Sequence, residues 1–305
     1  MEPGGGSDRR RLASLLAGLL PSGQVRLGVR GGVLVAAGVI CLLIAGGEIV
    51  NAVDTLHSAT AGAGVDAGVG SNGAAARRDA IMGAVLISCR AVLAAVLTEA
   101  VLPRPLGLLR GVGNHRFVGG AVGATIGYVA LCFVFSNVVA PAVVTGRRFP
   151  GSAVADATLL PRDLVLSGSA GLIEELALFA IPLALLGMSK RRWVQWAGLV
   201  LVIALRFGIH VYYGYGFAAV MVVPWMIGAW LLYRAVGSIW PLIIGHAVND
   251  APLVVVMRTQ QTWVYTALQV TAAAGAVLLI ATAARWAIRT RAAHRTSPVG
   301  SAPRQ

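Results

Sequence analysis

The sequence predicts an all-α polytopic membrane protein of about eight transmembrane helices with both termini in the cytoplasm. Three observations lead there. The 305 residues are 57% hydrophobic and only 12% charged, about half the charge of a soluble globular chain. The mean hydropathy is +0.77. Apolar stretches of about 20 residues, the length a helix needs to cross a hydrocarbon core, recur from residue 29 to residue 286.

In chain order, residues 1–28 are expected to form a cytoplasmic segment. Arg9, Arg10 and Arg11 precede Leu12, Leu15, Leu16, Leu19 and Leu20, which recur at helical spacing, as in a short amphipathic helix lying on the bilayer. A signal peptide also starts basic, but Pro21 and Arg26 interrupt the apolar run and no small-residue cleavage site precedes the next one. The membrane domain is expected over 29–288. Its spans are placed at 29–50, 81–102, 118–141, 164–187, 193–213, 217–234, 238–257 and 264–286. Residues 51–80, rich in Gly, Ala, Ser and Asp, read as an exposed loop, and 289–305 as a disordered cytoplasmic tail. In the third span Gly119, Gly123 and Gly127 recur every four residues, a spacing that lets two helix backbones approach closely.

Basic residues set the orientation. With the N-terminus inside, Arg9–Arg11, Arg26, Arg30, Arg104, Arg110, Arg116, Lys190–Arg192, Arg234, Arg285 and the tail arginines are cytoplasmic, and only Arg77, Arg78, Arg147, Arg148, Arg162 and Arg258 are outside. This excess places both termini in the cytoplasm. The net charge of +13 does not mark a nucleic-acid partner, because the cations are spread over short loops between spans; they suit anionic lipid headgroups. Trp193, Trp196, Tyr212, Tyr213, Trp240, Trp263 and Tyr265 fall near span ends, as an aromatic belt does. Cys41, Cys89 and Cys132 lie in apolar stretches without CxxC spacing and read as buried free thiols.

The chemistry is concentrated on three spans. The fourth carries Glu174 and Glu175 side by side in SGSAGLIEELALFAIPLALLG. A charge at the centre of a membrane helix costs roughly 2.5–3.5 kcal/mol on insertion scales, so an adjacent pair needs a reason. The fifth carries Arg206 and His210, and the seventh His246, Asn249 and Asp250. Arg206/His210 and His246/Asp250 are each four apart and share a helix face. Adjacent glutamates diverge by about 100°, so one can face a site while the other holds a neighbouring helix. Arg90, midway along the second span, is expected to neutralise one of the acids or to line an access path.

Glu174, Glu175 and Asp250 together could carry three negative charges against one positive charge on Arg206. The excess needs a divalent metal, protonated groups or a water-filled cavity. Two histidines and a glutamate also make one common catalytic zinc set, so a divalent metal, zinc among the options, held by His210, His246 and Glu174 is one expectation. A carboxylate beside such a centre can activate water. There is no HExxH, so any metal site must be assembled from separate helices.

At these residues the chain resembles the CPBP family of intramembrane proteases, which includes the type II CAAX prenyl proteases and bacteriocin-processing or immunity proteins. That family's pattern is EExxxR, then FxxxH, then HxxxN or HxxxD on separate helices. Glu174–Glu175 match the first, His210 the second, and His246 with Asp250 the third, and the likeness spans 163–257. Two positions depart: Phe179 stands for the arginine of EExxxR, and Arg206 for the phenylalanine of FxxxH. We read Arg206 as taking over the charge-balancing role. The resemblance implies that Glu174 activates water, that Glu175 assists or is structural, and that His210, His246 and Asp250 bind a metal or stabilise the oxyanion.

The expected activity is an intramembrane metalloendopeptidase acting on a membrane-associated peptide or protein in a bacterial cytoplasmic membrane. A catalytically silent scaffold or immunity protein is the alternative. A proton-coupled transporter is the third class, disfavoured by the lack of an inverted repeat.

Overall fold

A computed structural model describes residues 24–60, 74–102, 106–108, 115–144 and 157–296. Among them there is helix and no strand. α1 is Gln24–Thr60, α2 Ala74–Val101, and α3 runs through His115–Val134, a π-helical turn Phe135–Val139 and Ala140–Val143. α4 spans Ala157–Gly187. α5 is Arg192–His210, α6 Tyr215–Val236, α7 Trp240–Thr259 and α8 Thr262–Thr296. Seven of these, α1 to α7, are long and apolar enough to cross a membrane, and α8 has a shorter apolar part, Thr262–Leu278. The protein is an all-α, polytopic integral membrane protein.

α4 is the centre of the bundle. Over its apolar window 56% is buried, against 22–39% for the other six spans. It packs on α1, α2, α5 and α7, while α7 also lies on α3, and α3 on α6 and α8. From Leu176 to Ile181 every residue is essentially inaccessible. The other helices turn large apolar side chains such as Val35, Leu43, Val200 and Val270 outward, as lipid-facing surfaces do.

The turns follow from local chemistry. α6 stops where Gly237 takes a left-handed conformation (φ 69°) and its N–H closes on the Tyr233 carbonyl, a conformation that glycine adopts without steric penalty. α7 then starts with Pro241 in its first turn, where a missing N–H costs nothing. This junction is pinned from α2's side: Ile239 N–H donates to Leu106 O, Ser238 Oγ to Gly107 O and Trp240 Nε1 to Leu108 O, at 3.2, 3.0 and 2.9 Å.

Several expectations change. The 51–80 segment is not one loop: α1 reaches Thr60 and α2 begins at Ala74. Buried Ala52, and Ile49 packed against Gly208 of α5, extend the helix beyond what its composition suggests. Residues 24–28 belong to α1; the rest of the predicted amphipathic segment lies outside the described residues. α8 continues to Thr296, past the start of the predicted tail, and 297–305 lie outside the described residues. Cys89 is exposed, while Cys41 and Cys132 are buried. Trp193, Trp196, Trp240 and Trp263 are exposed near helix ends, but Tyr212 and Tyr213 flank the His210 ring instead.

Two glycines of the α3 stripe are also corrected. A Cβ on Gly119 or Gly123 would meet nothing within 4 Å. The close approaches are made elsewhere. A Cβ on Gly245 would lie 2.8 Å from Tyr128 Cδ1 and 3.2 Å from the Thr125 carbonyl, and one on Gly275 would lie 2.6 Å from the Ile126 carbonyl. Gly245 on α7 and Gly275 on α8, rather than Gly119 and Gly123 on α3, make these close approaches. Gly245→Ala is therefore expected to lower stability by about 1–3 kcal/mol, the range for overpacking a filled core. Detergent-solubilised unfolding measures it, and an unchanged midpoint would show that α3 and α7 separate freely.

Candidate active site

The two glutamates sit on a π-helical segment of α4, Ile173–Ala180. One contributor is visible in the sequence. Pro182 cannot donate the backbone bond that an α-helix requires, and its ring crowds the carbonyl four residues earlier. The helix widens before it, so that Ile181 N–H bonds to Leu176 O. The other π turn, Phe135–Val139, likewise ends two residues before a proline, Pro141. π segments within helices recur at functional sites, and this one directs both carboxylates at the same cation.

That cation is Arg206. It is fully buried on α5, with Nη1 paired to Glu174 Oε2 and Nη2 to Glu175 Oε1. Both glutamates meet this one guanidinium, although their remaining surroundings differ. Glu175 is completely buried, and its Oε1 also accepts from Tyr128 OH at 2.5 Å and faces His246 Nδ1 at 2.9 Å. One carboxylate oxygen therefore ties α3, α5 and α7 to α4. His246 Nε2 lies 3.2 Å from Asp250 Oδ2, whose partner oxygen Oδ1 accepts from Asn249 Nδ2 at 2.9 Å.

His210 is held differently. Its Nδ1 is 2.8 Å from the Arg206 carbonyl, one helical turn back. A carbonyl only accepts, so Nδ1 carries the proton and the neutral ring leaves Nε2 as an acceptor. That nitrogen is 4.0 Å from Glu174 Oε2, a gap that one water can bridge.

Trp225 of α6 forms the platform beneath these groups. The Arg206 guanidinium stands 4.9 Å over its ring. The His210 and His246 rings approach it edge-on at 5.5 and 5.9 Å, and Tyr128 is 6.0 Å away. A desolvated cation–π contact of this kind contributes about 2 kcal/mol. The sequence reading missed Tyr128 and Trp225. Their signal is position: each is an aromatic with a polar atom in the middle of an apolar helix, away from the ends where a belt residue sits.

Arg90 does not take part. It is exposed on α2, and among the described residues the ion partners of the two glutamates are Arg206, His210 and His246. Phe179 is fully buried and packs edge-to-face on Tyr233, ring centroids 5.9 Å apart.

The donor set does not fit a metal ion in this arrangement. Among the described residues no three His, Cys, Asp or Glu side chains are placed to hold one. His246 has carboxylate oxygens at both ring nitrogens, which bond to it best when both carry protons. Arg206 occupies the position between the glutamates that a dication would take. The expected ligand set of His210, His246 and Glu174 is therefore not assembled. Arg206 and a doubly protonated His246 would offset two of the three carboxylate charges. The third then falls at the accessible edge, where the side chains of Glu174 and Asp250 are 16% and 30% exposed.

Comparison with known proteins gives one family match over this region. Residues 157–252 match the family model described as Type II CAAX prenyl endopeptidase Rce1-like, consistent with the CPBP resemblance. The matched stretch contains Glu174, Glu175, Arg206, His210, His246 and Asp250. No curated protein and no solved structure matches the chain.

Proposed function

We propose that the chain, through its Rce1-like stretch, is an intramembrane endopeptidase that cuts a membrane-associated peptide or protein with a water activated by Glu174. The single observation behind this is the contrast between the adjacent glutamates. Glu175 is sealed, with one oxygen committed to three helices. Glu174 is partly exposed and 4.0 Å from the acceptor nitrogen of His210.

A water between them gives one hydrogen to Glu174 and the other to His210 Nε2. Its oxygen attacks the peptide carbonyl carbon as Glu174 takes the proton. The positive charges of Arg206 and His246 lie beside the oxyanion that forms, in a site largely screened from solvent, where fixed charge is most effective. Collapse of the tetrahedral species breaks the C–N bond, and Glu174 returns its proton to the leaving amine. No step requires a metal. The Lys/Arg bias supports both termini on the cytoplasmic side of the membrane.

The test uses wild type and Glu174→Gln, purified in detergent and incubated with a set of membrane-derived peptides, with products read by mass spectrometry. Cleavage should fall by a factor of about 100 or more, as for loss of a general base, and a chelator should leave wild-type cleavage intact. Equal cleavage by both proteins would remove this mechanism. A second reading, a silent scaffold, rests on the sealed Glu175–Arg206–His246 network, which ties helices together whether or not catalysis occurs. No cleavage by wild type would favour it.

A further inference from the structure

A second feature lies away from these carboxylates. A cavity of about 720 Å³ opens where the C-terminal end of α4, the turn into α5 and the last turn of α6 meet. Lys190, Arg192 and Arg234 line it together with Ser189, Trp196 and Trp230, and no Asp or Glu does. The three cations are exposed, and among the described residues none forms an ion pair. The Arg234 guanidinium lies 4.9 Å over the Trp230 ring, and the Trp196 and Trp230 rings are 5.7 Å apart. α5 begins at this cavity, and its N-cap residue, Arg191, supplies no capping side chain, so the positive end of the helix adds to the field. Leu183, Ala184 and Gly187, from the last turns of α4, give it an apolar wall.

Three uncompensated cations around one recess destabilise each other unless an anion joins them. A point charge from lysine and two planar guanidinium forks suit phosphate oxygens. The indoles fit the level of lipid headgroups, and the apolar wall suits the adjoining acyl carbons. We propose that this cavity binds a phosphate group, supplied by an anionic phospholipid of the leaflet that the Lys/Arg bias assigns to the cytoplasm. The site is independent of the peptidase reading.

The test compares wild type with the triple variant Lys190→Gln/Arg192→Gln/Arg234→Gln, both full length. Each is titrated in detergent with phosphatidylglycerol, phosphatidylcholine or inorganic phosphate, reading the unfolding temperature and bound lipid by native mass spectrometry. All three side chains are exposed, and their removal relieves mutual repulsion, so the variant's lipid-free unfolding temperature should equal or exceed that of wild type and serves as the folding control. Wild type should gain stability with phosphatidylglycerol and not with phosphatidylcholine, and the variant's affinity should fall on the order of 100-fold, from roughly 5-fold per cation near a membrane. A full response to inorganic phosphate alone would overturn the lipid source while retaining the phosphate site. An unchanged response in the variant, or equal responses to the two lipids, would overturn the proposal.

Discussion

Arg206→Ala is expected to destabilise the protein by about 3–5 kcal/mol, the range for removing one partner of a buried ion pair. The cost does not come from the strength of the pairs themselves. It comes from what the truncation leaves: Glu175, fully buried, and Glu174, largely buried, facing each other's charge without the guanidinium between them, with His246 on Glu175 as the remaining cation. The stacking on Trp225 is lost as well. Arg206→Lys should recover only part of the loss, because one ammonium cannot present two directed donors to two carboxylates. Unfolding of the solubilised variants by heat or denaturant gives the values. A loss below about 1 kcal/mol for Arg206→Ala, the level of an exposed pair, would mean that the carboxylates find another cation or hold protons, and Arg206 would lose its assigned role.

The reason this network could be located, but not drawn, from the sequence lies in the range of each signal. Apolar length and the four-residue spacings of Arg206/His210 and His246/Asp250 are local, and the structure uses both: His210 bonds back to the Arg206 carbonyl and His246 meets Asp250. The π segment depends on a proline inside a span, but Pro224 and Pro252 also lie inside helices without one, so the proline alone does not determine it. Tyr128 reaches Glu175 across 47 residues, and Trp225 meets four site residues from a helix with no ionisable group at that level. Such contacts are set by which helices adjoin, which periodicity does not encode. The same holds for Arg90: its place in the sequence sets its mid-span depth but not the side of α2 it occupies, which is exposed. Gly245 differs from Gly119 only in what stands opposite it.

The departure at Phe179 gives the sharpest test of how the charges were rearranged. Phe179→Arg alone is expected to cost on the order of 3 kcal/mol or more, because it buries a second guanidinium where both glutamates already hold Arg206. It also removes a sealed aromatic from its edge contact with Tyr233. In an Arg206→Ala background the same substitution meets a different situation. Residue 179 lies one turn beyond Glu175, so its side chain can reach that helix face, and Glu175 then lacks its cation. The double variant should be more stable than the sum of the two single effects by roughly 1–3 kcal/mol, the coupling seen between residues that share a partner. It should remain below wild type, since the Phe179–Tyr233 packing is not restored. The four proteins of this cycle are compared by denaturant unfolding in one detergent. Additivity within about 0.5 kcal/mol would show that an arginine at 179 cannot substitute for Arg206, and that the two positions do not exchange one charge between neighbouring helices.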